Sequence, residues 1–496
     1  MPNETKSSIY QHEPPYIAPA GFGVSLISHV RSLLWTDGML QQGYEQHPGG
    51  IFKMPAMGGW VTIVSGKYLD EVLRAPEATL SFHEKLNRIL QLEHLIGPQM
   101  SQDQIHLPLI KILNRNIDLV HAEIADETPF AIELELSKAA MTDGWTEVKC
   151  FETAYNCILR LNLRAFMGLP LCRDDEWMKA INKDGLDFAL RTVILRMFPK
   201  ARRGSANMYP SKFGIPFRAA TKSLAEVIQQ RLSIPEEERP NNLLTWILSR
   251  LPGEEPDVHL INGIFQIINM VSLNNTAMTL GHALFYLVAN PECIDIIREE
   301  IHDSLEGGDI TRDSLNQMHK LDSFIRESLR HAGLSNLSIL RVALKDFVFS
   351  DGTRVSAGES IQAIAKPIHL DSNYYDDPNE FKPWRFYDMA HAEVDEGSAQ
   401  LTDKYDLVEP SNEFLIWGLG KHTCPGRWYA AMEIKHLMAY MILNYDIKLP
   451  DSAKGKRPAN LHVLGVCLPN RSAKILFKRR ENSGRFVLQF VFMFVV

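Results

Sequence analysis

Between Val258 and Ala289 the chain runs for 32 residues without one Asp, Glu, Lys or Arg. As a helix this stretch would be about 48 Å long, longer than most globular folds can bury. A bilayer span is the first alternative. The stretch carries Asn262, Gln266, Asn269, Ser272, Asn274, Asn275, Thr276, Thr279 and His282, and each amide without a partner in lipid costs free energy. A helix through the middle of a large protein, apolar nearly all round, accounts for it better. The central cluster Ser272-Leu-Asn-Asn-Thr276 then needs partners. A local break in the helix ladder with ordered water would supply them, as would bonds to neighbouring helices.

The middle and second half of the chain read as amphipathic helices with short polar breaks. Asn290-Pro291 ends the long helix and starts another, which runs through Ile294-Asp-Ile-Ile-Arg-Glu-Glu-Ile301 and stops near Gly307-Gly308. Strand signals are local. Phe347 to Val355 alternates around Asp351-Gly352, a hairpin pattern, and Ser360-Ile-Gln-Ala-Ile-Ala365 follows Gly358. The fold class is therefore mainly α with a small β region. The turn-rich stretch 371–410 reads as a long irregular connection, of a length usually kept for function.

Composition narrows the classes. The net charge of -8, from 52 Lys+Arg and 60 Asp+Glu, comes without a long basic run and argues against nucleic acid as a partner. Six cysteines in 496 residues, none in a C-x-x-C pair, give neither a disulfide framework nor a structural zinc site. Residues 1–45 form an N-terminal segment without a clear transmembrane helix, since 17–35 is interrupted by His29 and Arg31. Residues 46–480 read as one catalytic domain. The apolar tail within 481–496 is about half of what a bilayer crossing needs.

The chemistry centres on Trp417-Gly-Leu-Gly-Lys-His-Thr-Cys-Pro-Gly426. Glycines at 418, 420 and 426 let a backbone turn tightly and approach a flat ligand. Cys424 is expected at the mouth of a helix beginning at Pro425, with Arg427 beside it, where the dipole and the guanidinium favour a thiolate.

The spacing Trp417-x-x-Gly420-x-His422-x-Cys424-x-Gly426 resembles the haem-binding loop F-x-x-G-x-[RH]-x-C-x-G of the cytochrome P450 superfamily, with Trp417 in place of Phe. Glu327-Ser-Leu-Arg330 is similar to the family's E-x-x-R, and Phe381-Lys-Pro-Trp-Arg385-Phe386 to its F-x-P-x-R-F element. His369-Leu-Asp371 with Tyr375-Asp-Asp-Pro378 resembles the run between them. The resemblance covers about residues 50–475 and implies the family fold, with haem b between the long central helix and the helix after the cysteine loop. It implies Cys424 as axial ligand of the iron, His422 and Arg341 at the haem propionates, and Trp417, Gly420 and Gly426 shaping the loop. Glu327, Arg330 and Arg385 would form a structural network, since one carboxylate between two guanidiniums is rigid. His106, Lys111 and Arg115 stand where the family usually has W-x-x-x-R, which is not recognisable here.

The oxygen-activating element [AG]-G-x-[DE]-T aligns with Ser272-Leu-Asn-Asn-Thr276. Thr276 keeps the hydroxyl that can bond dioxygen or water, whereas Asn275 replaces the acid and cannot deliver a proton as one. The resemblance implies a monooxygenase fed from NADPH through NADPH-cytochrome P450 reductase. Lys421, Arg427 and Lys435 are candidates to face that reductase. Leu92-Glu-His-Leu-Ile-Gly97, His106-Leu-Pro-Leu-Ile110 and Glu433-Ile-Lys435 after the cysteine loop look like fungal secondary-metabolism members similar to ent-kaurene oxidase, which implies an apolar terpenoid or indole-diterpenoid substrate. Its pocket would be lined by 80–105, 188–197, 269–276, 334–340 and 463–468. The same likeness implies the endoplasmic-reticulum surface, where fungal members normally carry an N-terminal membrane helix; for this chain either such an anchor precedes the given sequence or the protein attaches peripherally. Two other functions compete: a haem-thiolate isomerase or dehydratase needing no reductase, which Leu273 and Asn275 favour, and a non-catalytic haem- or lipid-binding relative.

Overall fold

The structure is a computed structural model that describes residues 12–19, 28, 31–32, 35–56, 59–97, 106–196, 198, 218–251, 257–395, 402–463 and 465–481. The apolar tail, much of the N-terminal segment and 98–105 of the expected pocket lie outside them. The helices that build the site are α1 (Phe82–Leu90), α2 (Ile117–Ser137), α3 (Cys150–Met167), α4 (Asp175–Arg196), α5 (Val258–Ala289), α6 (Glu292–Ser304), α7 (His319–Ala332), α8 (Arg385–Asp395) and α9 (Arg427–Asn444). The strands are β1 (Ile51–Ala56), β2 (Gly59–Val64), β3 (Leu80–Ser81), β4 (Met141–Thr142), β5 (Trp145–Lys149), β6 (Leu337–Ala343), β7 (Phe347–Val348), β8 (Arg354–Val355), β9 (Ser360–Ile364), β10 (Tyr445–Lys448), β11 (Leu461–Val463), β12 (Val466–Leu468) and β13 (Lys474–Arg479).

The charge-free stretch is the helix α5, capped by the Asp257 carboxylate, which accepts from Leu260 N at 3.0 Å. It runs unbroken through the polar cluster, so the expected break in the helix ladder does not occur. Ser272 Oγ donates to Asn269 O, Asn274 Nδ2 to Met270 O and Thr279 Oγ1 to Asn275 O, so these side chains bond back to their own helix. Around α5 pack α3, α7 and α9. Its crossing with α3 is close because Gly281 has no side chain: a Cβ there would lie 3.3 Å from the Phe151 ring and 3.3 Å from Pro469.

A five-stranded sheet, ordered β1-β2-β9-β6-β3, stands beside the helices. β2 and β9 are parallel and the other neighbours antiparallel. A register shift between Ser338 and Arg341 forms a bulge, and Ile339 within it has φ +50°. A β-branched residue rarely takes that conformation, and the bulge re-aims the side chains that follow it. The hairpin expected at Asp351-Gly352 is β7–β8, with Gly352 at φ +90° closing a three-residue loop. β10-β13-β5-β4 form a second sheet, and β11–β12 a separate hairpin.

The buried apolar residues form two clusters. A helical one includes Ile264, Phe265, Leu280, Leu437 and Phe414, and one against the sheet includes Phe52, Ile63, Ile361 and Leu415. Adjacent residues 414 and 415 thus enter different cores, which seats the segment leading to Cys424 at the seam between them.

Replacing Gly281 by Val should overpack the α3–α5 crossing and cost about 1–3 kcal/mol, read as a lower urea-denaturation midpoint with the helical signal of the native state retained.

Candidate active site

Glu327 and Arg330 lie one turn apart on α7 and therefore face the same way. Arg330 Nε donates to Glu327 Oε2 at 2.7 Å and Nη2 to Oε1 at 2.8 Å. From the start of α8, Arg385 Nε reaches both oxygens at 3.1 Å, and Lys382 N donates to Oε1 at 3.0 Å. Glu327 and Arg330 have no exposed surface and Arg385 is buried. The remaining guanidinium N–H groups donate to the carbonyls of His369, Asp376, Asp377, Pro378 and Glu380. The stretch expected to be irregular is thus tied down residue by residue, and it contains α8 and a short turn of helix at Asp403–Tyr405.

The next part of the connection hangs on Arg326, which no motif singled out, and on Trp417 and Arg427 of the cysteine loop. Arg326, buried between the rings of Phe386 and Phe414, donates to the carbonyls of Asp406 and Glu409. Trp417 Nε1 donates to Leu407 O at 2.5 Å, and Arg427 Nε to Val408 O at 2.9 Å. Four successive carbonyls are thereby held by α7 and by the cysteine loop. His369 Nε2 accepts from Leu415 N at 3.1 Å, so it links the network to the loop. The H-x-D pattern contained the signal for His369; Arg326 had none beyond its place before Glu327.

The cysteine loop turns at Gly418 (φ +73°) and Gly420 (φ +71°), but Gly426 has an ordinary φ of -91° and a Cβ there would meet nothing within 4 Å. Cys424 N donates to Trp417 O at 2.7 Å, and Asn114 Nδ2 donates to Pro425 O at 2.7 Å. The helix expected from Pro425 begins at Arg427, so Cys424 stands two residues before its cap. Arg427 stacks on Trp428 and points to Val408. Burial pushes the Cys424 thiol up, and the Gly426 N–H and the Arg427 charge only partly offset it. Lys435 does not face a partner: it is buried and paired with Asp322 at 2.7 Å. Lys421 Nζ donates to Ala75 O.

Arg341 is 2% exposed, has no carboxylate partner among the described residues, and leaves Nη2 without a hydrogen bond. Nη1 donates only to Leu340 O. Nearby, His422 Nε2 meets Glu77 Oε2 at 2.9 Å, and its ring lies 4.8 Å from that of Phe82. Burial, then the Arg341 charge, hold the His422 ring below its ordinary value against the pull of Glu77. Burial would raise the Glu77 carboxyl, but donors from Ser81 and His83 outweigh it and bring it to about 2. A buried guanidinium lacking its anion and a thiol at the base of a glycine turn are the groups that a haem, with its propionates and iron, would engage. The residues present fit that group. On α5, Thr276 is buried, while Asn275 next to it is exposed along with Val271 and Asn274. Lys111 and Arg115 lie exposed on the helix His106–Arg115.

The cytochrome P450 family model matches residues 183–477, more than half of the chain. The chain belongs to the cytochrome P450 family. It is 34% identical to cytochrome P450 monooxygenase 151 of Postia placenta, over 94% of each chain. It is 29% identical to cytochrome P450 monooxygenase CYP512U6 of Ganoderma lucidum, over 93% of this chain and 90% of that one. The solved structure of retinoic acid-bound cyanobacterial CYP120A1 shares the fold, with a TM-score of 0.67 and 18% identity over 95% of this chain and 100% of that one. This P450 is an oxidoreductase of the monooxygenase type with haem b as cofactor, which receives electrons from NAD(P)H through a reductase. The two monooxygenases are fungal, as the resemblance at Leu92–Gly97 and His106–Ile110 suggested.

Two predictions follow from this geometry. Glu327→Gln leaves two buried guanidiniums without their counter-charge and should cost about 3–5 kcal/mol, seen as loss of haem content in purified protein at a given temperature. The second concerns acid. Burial keeps His282 down at about 4, and His369 and His436 at about 3, with the Arg330 charge adding at His369 and His121 adding at His436. The unfolded chain takes up protons on these rings near the ordinary value of 6.5, so it binds more protons than the fold below that pH. Stability is full above pH 6.5 and falls by about 1.4 kcal/mol per unit and per ring as the pH drops toward the folded values. Melting temperatures should decline between pH 7 and pH 5.

Proposed function

We propose that this P450 inserts one oxygen atom of O2 into an apolar terpenoid or indole-diterpenoid secondary metabolite, with NADPH-derived electrons delivered by NADPH-cytochrome P450 reductase. Cys424 would ligate the haem iron, Arg341 and His422 would hold the propionates, and Trp417, Gly420 and Gly426 would shape the loop around the group. The observation that carries this is the buried Arg341 guanidinium with a free N–H group, because a buried cation without an anion is costly and a propionate supplies one. When bound, thiolate-ligated haem supplies the oxygen-activating iron.

The chain's own residues do the rest. Glu327, Arg330 and Arg385 hold the loop rigid. The Thr276 hydroxyl both donates and accepts, so it can hold dioxygen or water and pass a proton. Asn275 cannot give up a proton as a carboxylic acid would, so protons come through Thr276 and water. Aliphatic residues in the expected pocket segments, among them Val271, Leu334, Leu337, Leu340, Val463 and Val466, suit an apolar ligand with few polar anchors. We place the enzyme at the cytosolic face of the endoplasmic reticulum, where eukaryotic family members typically lie. No helix among the described residues is long and apolar enough to cross a membrane.

The reduced, carbon-monoxide difference spectrum tests the ligation. The parent should show the red-shifted Soret band of thiolate-ligated haem and Cys424→Ser should lose it. A parent that loads haem without that band rules out Cys424 as ligand. With reductase and NADPH, terpenoid substrates should gain one oxygen atom from O2. Turnover without NADPH would point to the isomerase or dehydratase chemistry instead.

A further inference from the structure

Asp37 lies in the first turn of the helix Thr36–Gln46 and uses both carboxylate oxygens on different parts of the chain. Oδ1 accepts from Asn336 Nδ2 at 2.5 Å, and Oδ2 pairs with His462 Nδ1 at 2.6 Å. Asn336 is buried in the segment between α7 and β6, and His462 is the middle residue of β11. These two segments touch directly as well. Asn336 N donates to Gly465 O at 2.8 Å, and Cys467 N to Leu334 O at 3.1 Å. The turn of the β11–β12 hairpin is seated tightly: Gly465 has φ +78°, and a Cβ on it would lie 3.3 Å from Thr36 Cγ2 and 3.8 Å from Asn336 Nδ2.

Burial does little to hold β11. All three of its residues are exposed, Leu461 at 53% and Val463 at 41%. With so little apolar surface removed from water, its ladder with β12, the 3.8 Å contact of His462 Nε2 with Cys467 Sγ and the Asp37 carboxylate decide where the strand lies. Its partner β12 has a clamp from the core side, where Cys467 O accepts from His282 Nε2 on α5 at 3.1 Å. On β11 the clamp is Asp37, which also fixes the Asn336 side chain and hence the start of β6. One carboxylate thereby adds a side-chain brace to the two backbone bonds that join 334–336 to 465–467.

We infer that Asp37 is a positioning residue for substrate selection, holding two walls of the substrate pocket at the separation that defines which apolar molecules enter. The inference rests on the proposed function, in which those two segments line the pocket. It assigns a role to the start of the helix Thr36–Gln46, outside the 183–477 region that the family model matches.

The test uses full-length, haem-loaded protein and two probes read by spectral titration. Imidazole needs only the iron. Clotrimazole, an imidazole carrying three aryl rings, also needs the pocket walls. Asp37→Ala should weaken clotrimazole about tenfold, the effect of one charge-assisted hydrogen bond, with imidazole affinity and the carbon-monoxide band unchanged. His462→Ala removes one arm at a half-exposed residue and should shift clotrimazole in the same direction, which keeps the test open should Asp37→Ala fail to fold. Asp37→Asn keeps an acceptor for Asn336 and offers an N–H to the neutral ring, so it should restore most of the affinity. Unchanged clotrimazole binding in the alanine variants overturns the inference. So does parallel weakening of both probes, which would mark Asp37 as a general stabiliser. A parent without the carbon-monoxide band is a different result: it overturns the haem ligation proposed above and takes this inference with it.

Discussion

The carboxylate of Glu327 is the point on which the site hangs. Burying one carboxylate and two guanidiniums costs several kcal/mol per ion unless every donor and acceptor finds a partner. Here Glu327 accepts from Arg330, Arg385 and Lys382 N, and the other guanidinium N–H groups are taken by backbone carbonyls between His369 and Glu380. A stretch with little regular structure is left with one arrangement that satisfies the charges. The cysteine loop inherits that order through His369, Arg326, Trp417 and Arg427. Tryptophan where the family usually has phenylalanine adds a donor, so the loop is fastened to Leu407 by a bond that a phenyl ring could not make.

At Cys424 two effects oppose each other and burial wins. The adjacent Gly426 N–H and the Arg427 charge pull the thiol down, yet removal from water pushes it up further. Under the proposed ligation the metal ion supplies the charge, since a coordinating thiol is deprotonated outright. Arg341 shows the complementary case: a cation held in place with part of its hydrogen-bonding capacity unused.

Much of this was legible because the motifs carry their geometry with them. Glu327 and Arg330 share a helix face by their spacing, Gly418 and Gly420 do adopt left-handed turns, and the hairpin at Asp351-Gly352 closes as its residues suggest. The failures have physical causes. The polar cluster in α5 looked like a break because partners at the preceding turn are invisible to composition; short side chains satisfied themselves on their own helix. Lys435 looked like a surface charge, but α9 is buried nearly all round, so its ammonium needed Asp322. The stretch 371–410 looked structureless, although it contains α8.

The sequence by itself determined the family, the long buried helix, the mainly helical class and the order of the chemical motifs, since these depend on residue types at short spacing. Only the tertiary structure decided what lies far apart in the chain and close in space. It brought Glu77 to His422 and Asp37 to both Asn336 and His462, and it left Arg341 without an ion-paired carboxylate among the described residues. Such contacts depend on how helices and sheet pack, and burial then sets the strength of each charge.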